Sequence, residues 1–363
     1  MTRHSRASGA AAFLSAAALG ATIAHAADGF PYRMVHRMSL SGAAPVAALA
    51  FDPGGKHLYA AVDEDLRSYD TASGAPAEVV KLPGVGVALG VAARDGGLLY
   101  VATRAPARLL ILTLRPLRIA SSVALRGEPS ALLYDALGDA LYVESRAGDT
   151  VERLDPGSGK ALGLAHLYGR LGQMAVNGRG MLYVANAAHD ELEVIETGKM
   201  SRAGTVPLSG CSAPTGLAMD PVGRRLFVAC GNGEALVVDE DMGMTFVRLP
   251  IEKAGSLRAV FAFNPLGAGG WKGAAFMAGD APALDAIQMK AFISYVGGGS
   301  LPLSGRCTSL AVSPAAGQLA LALAPRGTEP GSTGEGATAA GAARDPSGVE
   351  LWMLGGASQG VSQ

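Results

Sequence analysis

Short apolar runs recur along this chain, and turn residues separate them. In residues 214–232, an apolar run over Thr215–Met219 is followed by the turn residues 220–224 and by a second apolar run over Leu226–Ala229. Both runs are too short for helices, and the Asp-Pro and Gly between them favour a tight turn. This stretch therefore predicts a β-hairpin.

The second run of this hairpin has counterparts along the whole chain, and each can be aligned on one large central residue. The anchors are Tyr59, Tyr100, Tyr142, Tyr183, Phe227, Phe276 and Leu321, at spacings of 41, 42, 41, 44, 49 and 45 residues. One or two further apolar runs follow each hairpin. Four short strands in each period of about 40 to 50 residues are typical of a β-propeller blade, so the sequence predicts seven blades.

The first two runs of most units are apolar at nearly every position instead of alternating. Strands that are covered on both faces have this pattern, and the inner strands of a blade lie between two neighbouring blades. The alternative architecture, a doubly wound α/β fold, requires amphipathic helices between strands. The links of this chain hold no amphipathic segment of helical length. We therefore expect an all-β, seven-bladed β-propeller.

The first strand of the chain has no partner within its own unit. Tyr32–Leu40 precedes the first hairpin, whereas the last unit has a hairpin at 308–324 and only one later strand, at 349–354. Propellers close their ring so that no long sheet edge stays open. We predict that Tyr32–Leu40 completes the last blade and thereby closes the ring.

The N-terminus has the pattern of a secretory signal peptide. Arg3 and Arg6 precede an apolar segment at 10–23, and Ala24-His25-Ala26 follows it. This segment is shorter than the roughly 20 residues that a helix needs to span a bilayer. We expect a signal peptide at 1–26, a periplasmic or secreted protein, and no membrane span after cleavage.

The mature chain is expected to form one propeller domain over 27–355. Residues 325–348 are rich in Gly, Ala, Ser, Thr and Pro and lack an apolar period, which indicates a disordered insertion in the last blade. Residues 356–363 are expected to form a flexible tail. Removal of two arginines with the signal peptide changes the formal net charge from −1 to −3. This near-neutral balance argues against a general polyanion-binding protein, and we expect a monomer.

Two of the three cysteines flank the same hairpin. Cys211 precedes its first strand and Cys230 closes its second, so antiparallel pairing brings both to one end. In an oxidising compartment this predicts a Cys211–Cys230 disulfide. Cys307 is then an unpaired, buried thiol.

Two tetrads and the residues around them carry a family resemblance. The tetrads are Leu-Tyr-Val-Ala at 182–185 and Leu-Phe-Val-Ala at 226–229, and Pro-x-Gly-Leu-Ala-x-Asp at 214–220 precedes the second. In these features the chain resembles the YVTN-repeat (YncE-like) proteins, which are exported seven-bladed propellers. The sixth and seventh units depart from the tetrad, with FMAG and LALA. The resemblance implies the fold and export, but no catalytic residues.

A ring of polar residues is expected at one mouth of the central channel, where the loops after each second strand converge. These residues could hold a small anionic or sugar-like ligand, or they form a solvated rim. They are Asp63, Arg104, Arg146, Asn186, Asn232, Asp280 and Arg326.

No metal or cofactor is predicted. The chain has no Cys-x-x-Cys-His or His-Glu-x-x-His motif, and the mature histidines lie in different units, at His36, His57, His166 and His189.

The sequence therefore predicts a non-enzymatic protein that presents a loop-built face to an unidentified protein partner or small anionic ligand. One alternative is a propeller enzyme of the lactonase type, with a metal held at the channel mouth by Asp63, Asn186, Asn232 and Asp280. A second alternative is nucleic-acid or anion binding by the second unit, which lacks acids between Asp95 and Glu128. Its arginines are Arg104, Arg108, Arg115, Arg118 and Arg126.

Overall fold

The computed structural model describes residues 30–40, 44–92, 97–145, 149–252, 256–263, 272–291, 294–313, 317–325 and 349–356. The predicted signal peptide, nearly all of the predicted insertion and all but the first residue of the predicted tail lie outside these ranges. So do Arg146 and Arg326. No described segment is a helix long and apolar enough to cross a membrane.

The described residues form seven four-stranded antiparallel sheets, and each sheet is one blade. Blade 1 consists of β2 (Val46–Phe51), β3 (His57–Val62), β4 (Asp65–Asp70) and β5 (Pro76–Lys81). Blade 2 consists of β6 (Val85–Ala92), β7 (Leu98–Arg104), β8 (Arg108–Leu114) and β9 (Leu117–Ala124). Blade 3 consists of β10 (Pro129–Asp135), β11 (Ala140–Ser145), β12 (Thr150–Leu154) and β13 (Ala161–His166). Blade 4 consists of β14 (Leu171–Val176), β15 (Met181–Asn186), β16 (Glu191–Glu196) and β17 (Ser201–Pro207). Blade 5 consists of β18 (Pro214–Asp220), β19 (Arg225–Cys230), β20 (Glu234–Asp239) and β21 (Met244–Pro250). Blade 6 consists of β22 (Leu257–Phe263), β23 (Gly273–Gly279), β24 (Ala283–Ala291) and β25 (Ser294–Pro302). Blade 7 consists of β26 (Arg306–Ser313), β27 (Gln318–Ala324), β28 (Val349–Gly356) and β1 (Tyr32–Leu40).

The first strands of the blades surround a central channel. Each of them contacts the first strand of the next blade, and β26 of blade 7 contacts β2 of blade 1. The ring is therefore closed, and the predicted seven-bladed propeller is confirmed.

The core lies between the blades. In β19, Leu226 and Val228 pack with blade 4, whereas the alternate residues Phe227 and Ala229 pack with blade 6. Every residue of this strand is buried, because both of its faces are covered. This arrangement explains why the second runs are apolar throughout and why the anchor residues, including Phe276 and Leu321 in the two divergent units, are buried.

Acidic side chains fix the turns between first and second strands. Asp220 Oδ1 accepts hydrogen bonds from the backbone N–H groups of Val222 and Gly223, at 3.0 and 2.9 Å. Asp135 makes the same pair of bonds in blade 3. Since Asp competes well for nearby backbone donors, its recurrence at the end of first strands reflects the turn and not a shared active site.

Strand β1 closes the ring as predicted. It pairs antiparallel with β28, from Tyr32 opposite Gly356 to Leu40 opposite Val349. Tyr32 is only 1% exposed, and its ring packs edge-on against Phe276 of blade 6 at 4.9 Å between centroids. The N-terminal strand thus contributes both backbone pairing and core packing to the two ends of the ring.

The side chain of Glu350 in β28 is hydrogen-bonded to β1. Glu350 accepts two hydrogen bonds from Arg37, at 3.1 and 2.6 Å, and one each from Ser304 and the Trp352 indole. Burial opposes ionisation of Glu350, but these hydrogen bonds outweigh it and hold the pKa of the carboxyl below its usual value. The contribution of this carboxylate to stability is therefore complete above its ordinary pKa and is lost as the pH falls through the lowered pKa.

The predicted disulfide is confirmed, since Cys211 and Cys230 are bonded. Cys230 ends β19 opposite Pro214 of β18, so the bond joins the connection from blade 4 to the hairpin of blade 5. Cys307 is a buried free thiol, and burial raises its pKa to about 12. At neutral pH it is therefore protonated and not activated as a nucleophile.

Candidate functional site

One face of the propeller is built from two kinds of loop, and we call it the mouth face. It carries the turns from second to third strands and the connections from each blade to the next. In blade 3, the Leu167 N–H of the connection donates to the Asp149 carbonyl of the turn at 2.7 Å. The equivalent bond recurs in other blades, with donors Leu82, Leu125, Leu208, Ile251 and Leu303. These bonds hold the loops of the mouth face in a repeating arrangement.

The five described residues of the predicted ring all lie in, or at the start of, turns of the mouth face. The Asn186 amide is fully buried and donates to the Tyr168 carbonyl at 2.9 Å, as well as contacting His189 and Glu193. The other polar contacts are those of Asn232 with Gly210 and Ser212, of Asp280 with the Ser256 N–H, of Arg104 with Glu128, and of the Asp63 carbonyl with the Gly86 N–H. Several of these side chains therefore support loops, and their role in ligand binding stays a prediction.

A cavity of about 400 Å³ opens on the mouth face across blades 3 to 6. Its lining differs from the predicted ring. Asn186 and Asp280 are not among the lining residues, but they hydrogen-bond to Tyr168, next to the lining residue Gly169, and to the lining residue Ser256. The lining residues are Glu144, Asp149, Gly169, Arg170, Leu171, Thr215 and Ser256.

Backbone contacts position the charged part of this lining. Asp149 has a positive φ of 45°, and its carbonyl accepts the Leu167 bond. The Arg170 carbonyl accepts a hydrogen bond from Ala187 N–H at 2.8 Å. In the connection between Leu167 and Arg170, Gly169 has a φ of 136°, and a Cβ there would lie 2.3 Å from the Asn186 amide oxygen. Glycine is therefore required for the chain to turn into blade 4 at this point.

The first strands of blades 4 to 6 are joined beside the cavity. Gln173 Oε1 accepts hydrogen bonds from Leu217 N–H of blade 5 at 3.1 Å and from Ala259 N–H of blade 6 at 2.6 Å. Thr215 Oγ1 accepts the Leu257 N–H at 2.8 Å, which leaves its own hydroxyl hydrogen able to donate. These bonds make the cavity part of a rigid scaffold, as small-molecule sites usually require.

The cavity contains both signs of charge. Glu144 is buried and accepts a hydrogen bond from the Ser130 hydroxyl at 2.8 Å. Within the part of the chain that the structure describes, the Asp149 carboxylate and the Arg170 guanidinium form no ion pair or side-chain hydrogen bond, although both line the same space. No described residue therefore neutralises either of these two charges.

A second polar group lies close by, at the β15–β16 turn. Ligand atoms of His189, Glu191 and Glu193 lie within 4.8 Å of one another. Arg202 contacts both carboxylates, with 2.6 Å to Glu193 and 3.8 Å to Glu191, and the Asn186 amide donates to His189 and Glu193. A metal ion would have to displace Arg202 from this group, so the side chains fit an ion-pair network better than a metal site.

The arginine-rich second unit is partly neutralised by acids. Arg126 contacts Glu152 at 3.0 Å, and burial of Glu152 raises the pKa of that carboxyl despite the neighbouring guanidinium. The other ion pairs are Arg104 with Glu128 at 3.9 Å and Arg115 with Asp52 at 3.8 Å, while Arg108 donates to Ser122 at 2.6 Å. This pairing weakens the argument for a continuous cationic surface.

No protein-family model matches the chain. No curated protein sequence matches it either. The cavity, the fold and the sequence pattern are thus the grounds on which a function is inferred.

Sequence reasoning missed most of the cavity because it considered only the loops that follow second strands. Asp149 belongs to such a loop, but Arg170, Thr215 and Ser256 lie where the chain enters the first strands of blades 4 to 6. The repeated leucine of the connections, such as Leu167, was the available signal, because it fixes where each connection crosses the mouth face.

Proposed function

We propose that the protein is an exported, non-enzymatic binding protein that takes a small charged ligand in the cavity at the channel mouth. The observation that carries this proposal is the cavity of about 400 Å³ with its two charges that no described residue neutralises. It falls in the range of about 300 to 1,000 Å³ that is typical of small-molecule sites. Arg170 gives such a ligand a partner for an anionic group.

Binding is favoured over catalysis by what surrounds the nominated polar residues. Asn186 and Asn232, which the lactonase alternative places on a metal, use their amide groups to hold backbone atoms of neighbouring loops. The described lining of the cavity contains no His, Cys or Lys, the residues that most often serve as bases or nucleophiles alongside carboxylates.

Export rests on the signal-peptide pattern at 1–26 and is supported by the Cys211–Cys230 disulfide, because disulfides persist in oxidising compartments. The tetrads at 182–185 and 226–229 support a relationship to the YVTN-repeat propellers, whose members share this fold and destination.

A panel of small molecules tests the proposal. The mature protein is melted with dialanine, acetate, glucose, methylamine or inorganic phosphate, each at several concentrations. A ligand at about 100 times its Kd stabilises the folded state by about 2.7 kcal/mol, which raises the Tm by about 4 °C in a chain of this size. We expect at least one charged compound to give such a rise.

The matched variants are Ser256→Trp and Ser201→Trp. Ser256 lines the cavity, so the indole fills it and should abolish the rise in Tm. Ser201 is an exposed residue at the start of the outer strand β17, so the same substitution there should leave the rise intact. A panel that shifts no melting curve, or a rise that survives Ser256→Trp, contradicts the proposal.

A further inference from the structure

Two opposite charges line the cavity on the mouth face without neutralising each other. Asp149 belongs to blade 3 and Arg170 to the connection into blade 4, and neither pairs with any described residue. Charged groups gain energy by pairing with each other or by binding a ligand of complementary charge. Because no described residue pairs with either charge, a ligand that carries both signs of charge would complement both of them.

Backbone hydrogen bonds hold both positions in place. The Asp149 carbonyl is bonded to Leu167 N–H at 2.7 Å, and the Arg170 carbonyl is bonded to Ala187 N–H at 2.8 Å. Gly169 between these anchors cannot carry a side chain without meeting Asn186. The two charges thus lie on two loops whose backbones are fixed and are joined by the Leu167 bond.

The remaining polar lining residues come from blades 3 to 6. Glu144 and Asp149 both belong to blade 3. Arg170, Thr215 and Ser256 follow in blades 4, 5 and 6. The Thr215 hydroxyl accepts the Leu257 N–H and can therefore donate its hydrogen, as the Ser256 hydroxyl can. Guanidinium and hydroxyl donors together suit a carboxylate.

We infer that the cavity binds a small zwitterion, of the class of a di- or tripeptide with free termini, with its ammonium at Asp149 and its carboxylate at Arg170. This inference rests on the proposed function and narrows its ligand class. A purely anionic ligand would be repelled by Asp149, and a purely cationic one by Arg170. The volume of about 400 Å³ is near the lower end for small-molecule sites and limits the peptide to a few residues.

Blocked peptides test the two ends of the ligand separately. Dialanine, N-acetyl-dialanine, which lacks the ammonium, and dialanine amide, which lacks the carboxylate, are titrated into the mature protein by calorimetry. Since a hydrogen bond to a charged group contributes about 1.5 to 3 kcal/mol, each block should weaken binding by about tenfold or more.

Two substitutions should reproduce these losses selectively. Asp149→Asn should weaken dialanine about tenfold and leave N-acetyl-dialanine unchanged, because the lost partner is the ammonium. Arg170→Gln should weaken dialanine and leave dialanine amide unchanged. Asn tolerates positive φ well, so Asp149→Asn preserves the turn.

The controls remove the same charges elsewhere. Asp190 occupies the equivalent turn position of blade 4 with a φ of 55°, and Arg33 is exposed on β1. Neither lines the cavity, so Asp190→Asn and Arg33→Gln should bind dialanine as the parent protein does.

The outcomes separate this inference from the proposed function. If acetate or phosphate binds, Ser256→Trp blocks it, and dialanine binds no better than its blocked forms, the cavity is a ligand site and the zwitterion inference is wrong. Equal effects of Asp149→Asn on dialanine and N-acetyl-dialanine also overturn it. If no compound of either panel binds, both the inference and the proposed function are wrong.

Discussion

A protein that lacks residues 27–41 is expected not to fold cooperatively. The deletion removes β1, which is the fourth strand of blade 7, and leaves the backbone of β28 as an open edge. It also removes Tyr32 from its contact with Phe276, and truncation of a large buried aromatic side chain alone costs about 3 to 5 kcal/mol. Since whole proteins are stable by only about 5 to 15 kcal/mol, the truncated ring should show no cooperative melting transition by circular dichroism.

The substitution Glu350→Gln should have a smaller effect on the same pairing of β1 with β28. It keeps β1 but weakens the contacts of this side chain with Arg37 and Trp352, so it should lower the free energy of unfolding by about 1 kcal/mol at neutral pH. Because the pKa of Glu350 is lowered in the folded protein, the difference from the parent should disappear as the pH falls through that value. For the deletion of residues 27–41, an unchanged melting temperature would contradict the expected role of β1 in closing the ring.

Loss of the Cys211–Cys230 bond is expected to destabilise the protein by about 3 kcal/mol, from the chain entropy of the loop it closes. The two cysteines are 19 residues apart. Urea unfolding of the parent protein with and without dithiothreitol measures this loss, and the double variant Cys211→Ala with Cys230→Ala should match the reduced parent.

The double variant is also the control for the reductant. It retains Cys307, which is buried and unpaired, so dithiothreitol should not change its unfolding midpoint. An oxidised parent that unfolds at the same urea concentration as the reduced parent contradicts the stabilising role of the bond.

The sequence allowed the fold to be predicted because burial repeats with the blade. Tyr142 and Phe276 occupy equivalent positions in second strands although the residues around them differ, since both strands are covered on two faces. The partner of Tyr32–Leu40 could be predicted because the last unit visibly lacked one strand. The disulfide followed from the antiparallel pairing of a single hairpin.

The site could be predicted only as far as its face of the propeller. Loop positions on the mouth face follow from strand order, but the direction of a loop side chain depends on local backbone angles and on hydrogen bonds from other blades. Asn186 turns inward to hold Tyr168, whereas Asp149, in the equivalent turn of blade 3, reaches the cavity. Arg170 could not be predicted as a lining residue because the connection that carries it has no recognisable sequence motif.

The most direct test of the central claim, that ligands bind in the cavity at the channel mouth, is amide hydrogen–deuterium exchange. The mature protein is compared with and without dialanine, or with the panel compound that gives the largest rise in Tm. We predict slower exchange in residues 149–152, 167–173, 212–217 and 256–259, and unchanged exchange in the outer strand β17. Slower exchange confined to the outer strands, with these four segments unaffected, would contradict the claim.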